Sequence, residues 1–188
     1  MIFETIIITV NSQNEPHIAP FGIQYQGDLV VISPYKPSVT LDNILLNKTA
    51  TLNITNDVRV FAGALTNNIK WVPLQVNSHG GYRLANALSC SELALIEVKN
   101  DATRPQLIMQ KVHNDNIAPF LGFNRAQAAV IELSILASRL HMLAREKIVA
   151  EMQYLQIAID KTAGEYELEA WGWLVEKVND FYASKNKA

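Results

Sequence analysis

The sequence predicts an α+β fold: a small antiparallel β-barrel over residues 1–122, followed by a C-terminal helical subdomain over residues 123–188. The first two thirds carry short β-branched or alternating runs separated by polar turns. From Asn124 onward the apolar residues recur at intervals of three and four. The 188 residues suffice for one compact core and are marginal for two. With 49% hydrophobic and 18% charged residues, the chain is not a disordered one.

Each element has a local reason. Residues 2–10 are rich in β-branched side chains and run into Asn-Ser-Gln-Asn-Glu-Pro, a turn composition. A second strand covers residues 18–25, Gln26-Gly27-Asp28 marks a hairpin, and residues 29–33 form a third strand. Val39, Leu41, Ile44 and Leu45 suit a short helix over residues 37–47, with Pro37 in its first turn. Ala50, Leu52 and Ile54 alternate along a fourth strand, residues 49–55. Asn56 and Asp57 are placed to cap a brief helix over residues 58–65. Residues 67–86 show no period, with Gly80-Gly81 as a loop tip. Two more strands, residues 93–98 and 107–113, flank a polar turn at residues 100–103. Asn124 caps a long apolar helix reaching Leu143. Residues 145–163 are a second helix or its continuation, ended by Gly164. Leu168, Trp171, Val175, Val178 and Phe181 mark one face of a terminal amphipathic helix, with a frayed tail from Ser184.

Composition excludes several function classes. Lys plus Arg number 16 and Asp plus Glu 18, a net charge of -2, so no basic field exists to hold a nucleic acid. Cys90 is the single cysteine, which rules out an internal disulfide and a multi-thiolate zinc site. Nothing near it in sequence supplies a base or a cation, so it reads as a buried thiol and not a nucleophile. The N-terminus lacks a cationic start and a cleavage site, and Glu4 interrupts an apolar run too short for a bilayer. The expectation is a cytoplasmic protein with no membrane partner. No two of His17, His79, His113 and His141 lie within one helical turn, so no metal is predicted. The G-x-S-x-G, Walker and GxGxxG patterns are all absent, and catalytic residues stay unassigned.

Two segments stand out. In Glu15-Pro-His-Ile-Ala-Pro-Phe-Gly-Ile23, Pro16 and Pro20 remove two backbone donors, which places them at a strand start, a bulge or an exposed edge. Gly22 permits close approach of a flat ligand, with free N–H groups from Phe21 to Ile23 facing it. A kinked strand with nothing bound accounts for these residues equally well. In Ser33-Pro-Tyr-Lys-Pro-Ser-Val-Thr-Leu-Asp-Asn43, a strand leads into a helix start, where N–H groups, Ser38, Thr40 and Lys36 suit a phosphate. Ser38 as a plain helix cap is the commoner use. A ring-binding strand followed closely by a phosphate-binding helix start is the order of a flavin mononucleotide site.

Residues 4–53 resemble the flavin-reductase-like, FMN-binding split barrel through Ile6-Ile-Ile-Thr-Val10, Pro16-His-Ile-Ala-Pro-Phe-Gly22, Ser38-Val-Thr-Leu-Asp-Asn43 and Thr51-Leu-Asn53. The whole chain is similar to an uncharacterised split-barrel family of archaea and methylotrophic bacteria. Asn124-Arg-Ala, Val130-Ile-Glu132, Ala137-Ser-Arg-Leu140, Lys161-Thr-Ala-Gly164 and Glu169-Ala-Trp171 match its helical part. The resemblance implies a homodimer with FMN near the subunit interface. It implies main-chain contacts from Pro20, Phe21, Gly22 and Ile23 to the ring edge. It places Ser38, Thr40 and Asn43 around the phosphate with Lys36 nearby, and Asn53 toward the ring or ribityl side. Val39 stands where such reductases often carry a charge, leaving the phosphate to Lys36 or to Arg59, Arg83, Arg125 or Arg139. Arg125 and Arg139 also read as solvated charges or partners of Glu132. Trp71, Trp171 and Trp173 could stack on a flavin, although packing is the commoner use.

The function this implies is a flavin-dependent oxidoreductase of unassigned substrate, associated with tetrahydromethanopterin-linked one-carbon metabolism by the organisms that carry the family. The alternative is a non-catalytic FMN-binding, electron-carrier or dimerisation module.

Overall fold

The computed structural model describes residues 1–68, 72–76 and 81–185, so Trp71, His79, Gly80 and the end of the tail lie outside the described residues. In chain order the elements are β1 (Phe3–Val10), β2 (Pro16–Gln26), β3 (Leu29–Ile32), α1 (Val39–Asn47), β4 (Thr49–Ile54), α2 (Arg59–Thr66), β5 (Pro73–Gln75), β6 (Tyr82–Leu84), β7 (Ser89–Lys99), β8 (Gln106–Asn116), α3 (Arg125–Ser138), α4 (Arg145–Thr162) and α5 (Glu165–Lys185). They divide into two compact units, Met1–Thr55 with Trp71–Phe120 and Asn56–Lys70 with Leu121–Ala188. A sequence division at residue 122 assigns α2 to the barrel, whereas the compact units group it with the later helices.

Six strands close an antiparallel barrel in the order β1-β2-β3-β8-β7-β4, so the α+β barrel-then-helices class stands. The order is not a plain meander. After β3 the chain leaves through α1 and returns as β4 on the far side of β1. Ile6, Ile7 and Ile8 of β1 pair with both β2 and β4 and are at most 1% exposed, which is why that strand is a continuous apolar run and not an alternating one. The core combines Ile7, Ile23, Val30, Leu52, Leu93 and Met109 with Leu41 and Ile44 of α1. Ser38, extended at φ -150, caps α1 by accepting from the Leu41 N–H at 3.2 Å. Pro37 therefore precedes the cap and is not in the first turn. Lys48, at φ 62, ends the helix.

Residues 67–86, read as irregular, contain β5 and β6, which form a separate two-stranded sheet. These strands are three residues long, too short to show a period. The barrel anchors them: Asn53 Oδ1 accepts from the Leu84 N–H at 2.9 Å, and the Thr51 hydroxyl donates to the Tyr82 carbonyl.

In the helical unit, Asn124 Oδ1 accepts from the amides of Ala126 and Gln127, and its Nδ2 donates to the Thr162 carbonyl, joining the start of α3 to the end of α4. The helix expected to reach Leu143 stops at Ser138, whose hydroxyl donates to the Ile135 carbonyl. His141 falls in the following turn, exposed and outside any helix. Val58 occupies the cap position of α2, while Asp57 Oδ1 accepts from the Arg59 amide. On α5 the buried stripe is Ala170, Trp171, Leu174 and Val178, and Leu168 is exposed. The packed face is thus rotated from the one counted from Leu168. No helix of the described residues is long and apolar enough to cross a membrane.

Two expectations follow. Asn53→Ala removes the acceptor for the buried Leu84 amide and should cost about 1–3 kcal/mol in urea unfolding. Burial, helped by the charge of Glu92, pushes the Cys90 thiol up to about 12. A disulfide reagent at neutral pH should leave the native thiol untouched and titrate it after unfolding. Because the unfolded chain releases that proton and the fold does not, stability should fall as the pH rises above the thiol's ordinary value.

Candidate functional site

β2 is paired unevenly. β1 accompanies it from Pro16 to Ile23, while β3 joins only from Ile23 to Gln26. From Pro16 to Gly22 one edge therefore lacks a strand partner. Pro16 starts the strand and Pro20 lies within this one-sided stretch, where a missing N–H is tolerated. Residues 17–22 are half-buried, and the Thr5 hydroxyl donates to the Phe21 carbonyl at 3.0 Å. Ile23 is fully buried in the barrel core and aligned with both Phe3 of β1 and Ile32 of β3, so the open edge ends at Gly22.

The loop after β3 is tied to the β7–β8 turn. The Lys36 amide donates to the Thr103 carbonyl at 2.9 Å, and Lys36 Nζ to the Asp101 carbonyl at 2.9 Å. Arg104 Nε donates to the Ser33 carbonyl at 3.1 Å, and its guanidinium lies 4.7 Å from the centre of the Tyr35 ring. Asp101 braces the turn by accepting from the amides of Arg104 at 2.6 Å and Thr103 at 2.8 Å, and these bonds hold its carboxyl below the usual range. Two cations, Lys36 and Arg104, are thereby fixed beside one another through main-chain bonds. Neither forms an ion pair among the described residues.

Arg104, Ser33 and Gly22 share a cleft of about 120 Å³ with Ile2, Gln24, Val31 and Gln106. A side chain at position 22 would meet Ile2 Cγ2 at 2.8 Å and Glu4 Oε1 at 3.4 Å. The close approach that Gly22 allows is taken up here by the start of β1. The cleft admits a phosphate-sized group. It falls well short of the roughly 300–1,000 Å³ that encloses a larger ligand.

The remaining expected residues separate into two groups. Ser38, Thr40 and Asn43 lie together along the first turns of α1, with Thr40 and Asn43 buried. Ser38 has its hydroxyl on the Leu41 amide, and Asn43 Nδ2 donates to Thr9 Oγ1 at 3.0 Å. Asn53 stands apart on β4, its amide engaged with Thr51 and Leu84. Of the arginines considered, Arg59 is held by Asp57 and Glu169 against the Tyr166 ring, and Arg83 donates to the Leu84 carbonyl. Arg125 and Arg139 are exposed at either end of α3. Each lies seven residues from Glu132, two helical turns away and beyond pairing reach. Arg104 was not among these. Only the fold brings it to Ser33, 71 residues away in sequence. Among the described residues no three His, Cys, Asp or Glu side chains gather to hold a metal ion.

Comparison with known proteins fits this architecture. A family model described as protein of unknown function (DUF447), N-terminal domain, matches residues 3–118, and one described as protein of unknown function (DUF447) matches residues 124–176. An FMN-bound protein of Methanosarcina mazei, assigned to the DUF447 family model, superposes with a TM-score of 0.79 at 21% identity, over 94% of each chain. The Pseudomonas fluorescens 2-nitrobenzoate 2-nitroreductase gives 0.55 at 16% identity, over 61% of this chain and 64% of that one. The flavoredoxin of Desulfovibrio vulgaris gives 0.53 at 14% identity, over 61% and 69%. At these identities the likeness establishes the fold. No curated protein matches the chain.

The Asp101 brace is a pH-dependent element. A depressed carboxyl stabilises the fold above its unfolded pKa, and that contribution disappears as the pH falls through the folded value. In an acid titration followed by NMR, the Thr103 and Arg104 amides should shift together with the Asp101 carboxyl. Asp101→Asn should flatten the response.

Proposed function

We propose that this chain, which belongs to the DUF447 family, is an FMN-binding flavoprotein that acts as an oxidoreductase on a small molecule. The observation that carries this reading is the cleft in the barrel unit where Gly22, at the end of the one-sided edge of β2, meets Arg104, held by its bond to the Ser33 carbonyl. The FMN-bound family relative and the reductase-like neighbours support it.

In this reading the phosphate lies by Lys36, Arg104 and the start of α1, where Ser38, Thr40 and Asn43 shape the wall. Main-chain groups of Pro20 to Gly22, on the edge that β3 leaves open, orient the ring edge. Asn53 acts at a distance by holding β4 to β6. When bound, the flavin supplies hydride and electron transfer, so the absence of a catalytic acid–base constellation is no obstacle. The cleft beside Gly22 holds the anionic end but not the rings. The rings would lie on the open edge and be covered by a second copy of the chain. Exposed Val39 and Leu46 on α1, and Tyr35 before it, offer an apolar surface for that homodimer. The single buried thiol suits the cytoplasm. No described residue speaks to tetrahydromethanopterin chemistry.

The purified protein should be yellow, releasing FMN on denaturation, and should bleach with NAD(P)H. Bleaching with dithionite alone would favour the electron-carrier alternative. A colourless protein that ignores added FMN would overturn the flavin reading. Arg104→Ala and Lys36→Ala should each weaken FMN by about 1.5–3 kcal/mol in a fluorescence titration, as loss of a hydrogen bond to a charged group does. Arg125→Ala should leave it unchanged.

A further inference from the structure

The helical unit contains a second cavity that the flavin reading does not use. α4 and α5 are joined by only Ala163 and Gly164, and each packs on α3. Between them lies a groove of about 480 Å³, within the range of small-molecule sites. Its lining is one face of each helix: Arg145, Val149, Met152 and Gln156 from α4, Trp171, Val175 and Tyr182 from α5. Trp171 and Val178 are buried at its base.

Three observations indicate what it takes. Arg145 sits at the first turn of α4, stacked 5.0 Å from the Tyr182 ring centre, with no carboxylate partner among the described residues. Tyr182 presents its ring to the groove, while its hydroxyl is shut away from solvent with no hydrogen-bond partner. The Trp171 indole is fixed, its Nε1 donating to Gln156 Oε1 at 3.0 Å while Gln156 Nε2 donates to Asp160. A cation without a carboxylate partner, the ring of Tyr182 and a fixed indole stand along one apolar groove. A ligand that satisfies all three has a flat apolar body and one anionic end.

We propose that this groove binds a small aromatic carboxylate, its ring against Trp171, Met152 and Val175 and its carboxylate on Arg145. Stacking on the indole and contact with the methionine sulfur favour an aromatic body. The bidentate geometry of guanidinium favours carboxylate. The site is independent of the flavin site and would stand if that reading failed.

The test is calorimetric titration of the full-length protein with naphthoate and with its neutral amide, naphthamide. Naphthoate should bind saturably, and naphthamide about tenfold more weakly, as loss of a charge-assisted pair implies. Arg145→Gln should weaken naphthoate to the level of naphthamide and leave naphthamide unchanged. Val175→Trp should fill the groove and abolish both, with circular dichroism confirming the helices. Val149→Trp, on the exposed side of α4, fills the same groove should the first variant not fold. Equal binding of acid and amide, indifference to Arg145→Gln, or binding that survives both tryptophan variants would overturn the proposal. So would a change of oligomeric state in light scattering on filling the groove, which would make it a contact between copies of the chain.

Discussion

The barrel depends on β1 being paired along both edges. Ile6, Ile7 and Ile8 align with Pro20, Ala19 and Ile18 of β2 on one side and with Asn53, Leu52 and Thr51 of β4 on the other. This double pairing closes the sheet and removes its edges where the core is deepest. It also forces the long connection through α1, because β4 must arrive on the side of β1 away from β3. The helix then contributes Leu41 and Ile44 to the core. Its start is left beside the end of β3, next to the turn that links β7 to β8.

Closure at β1 leaves an imbalance at β2. The strand is eleven residues long but β3 has only four, so β3 accompanies β2 at its C-terminal end alone. The unpaired stretch is where prolines are tolerated, and it carries main-chain groups that water, a ligand or another chain must satisfy. The same shortness of β3 starts the following loop early enough for Lys36 to reach Asp101 and Thr103. These positively charged side chains are placed by main-chain bonds rather than by carboxylates. Neither forms a close ion pair, although Lys36 lies near enough to the Asp101 carboxylate to help lower its pKa, and Arg104 keeps its charge for an anion in the cleft beside Gly22.

Local pattern made most elements legible. The alternation of Ala50, Leu52 and Ile54, the Gln26-Gly27-Asp28 hairpin and the Asn124 cap each act over a few residues, and each appears where the sequence puts it. What escaped was non-local. β5 and β6 exist because Asn53 and Thr51 hold them, a role that no count along residues 67–86 can show. Asn53 itself resembles a ligand residue because a buried, hydrogen-bonding asparagine serves either purpose. Arg104 was missed because the distance that matters is through space, to Ser33. On α5 the stripe from Leu168 competes with one through Ala170 and Leu174, and only packing on neighbouring helices decides which is buried.

The groove in the helical unit has a similar origin in unequal pairing. α4 has eighteen residues but fully buries only Ile148 and Ile159, leaving Val149, Tyr154 and Ile157 exposed. It docks on α3, where the Asn124 bond to Thr162 fixes its end. α5 is more apolar and packs on both α2 and α3. Two helices joined by a two-residue link would ordinarily close on each other as a hairpin. Here they meet through the Trp171–Gln156 bond and the Arg145–Tyr182 stack, and Val149, Met152 and Val175 line the gap left between these contacts. An apolar cleft that the chain's own packing cannot close exposes surface that water solvates poorly, and a ligand of matching shape gains by covering it. The cation at the margin of that gap, Arg145, then decides which ligand.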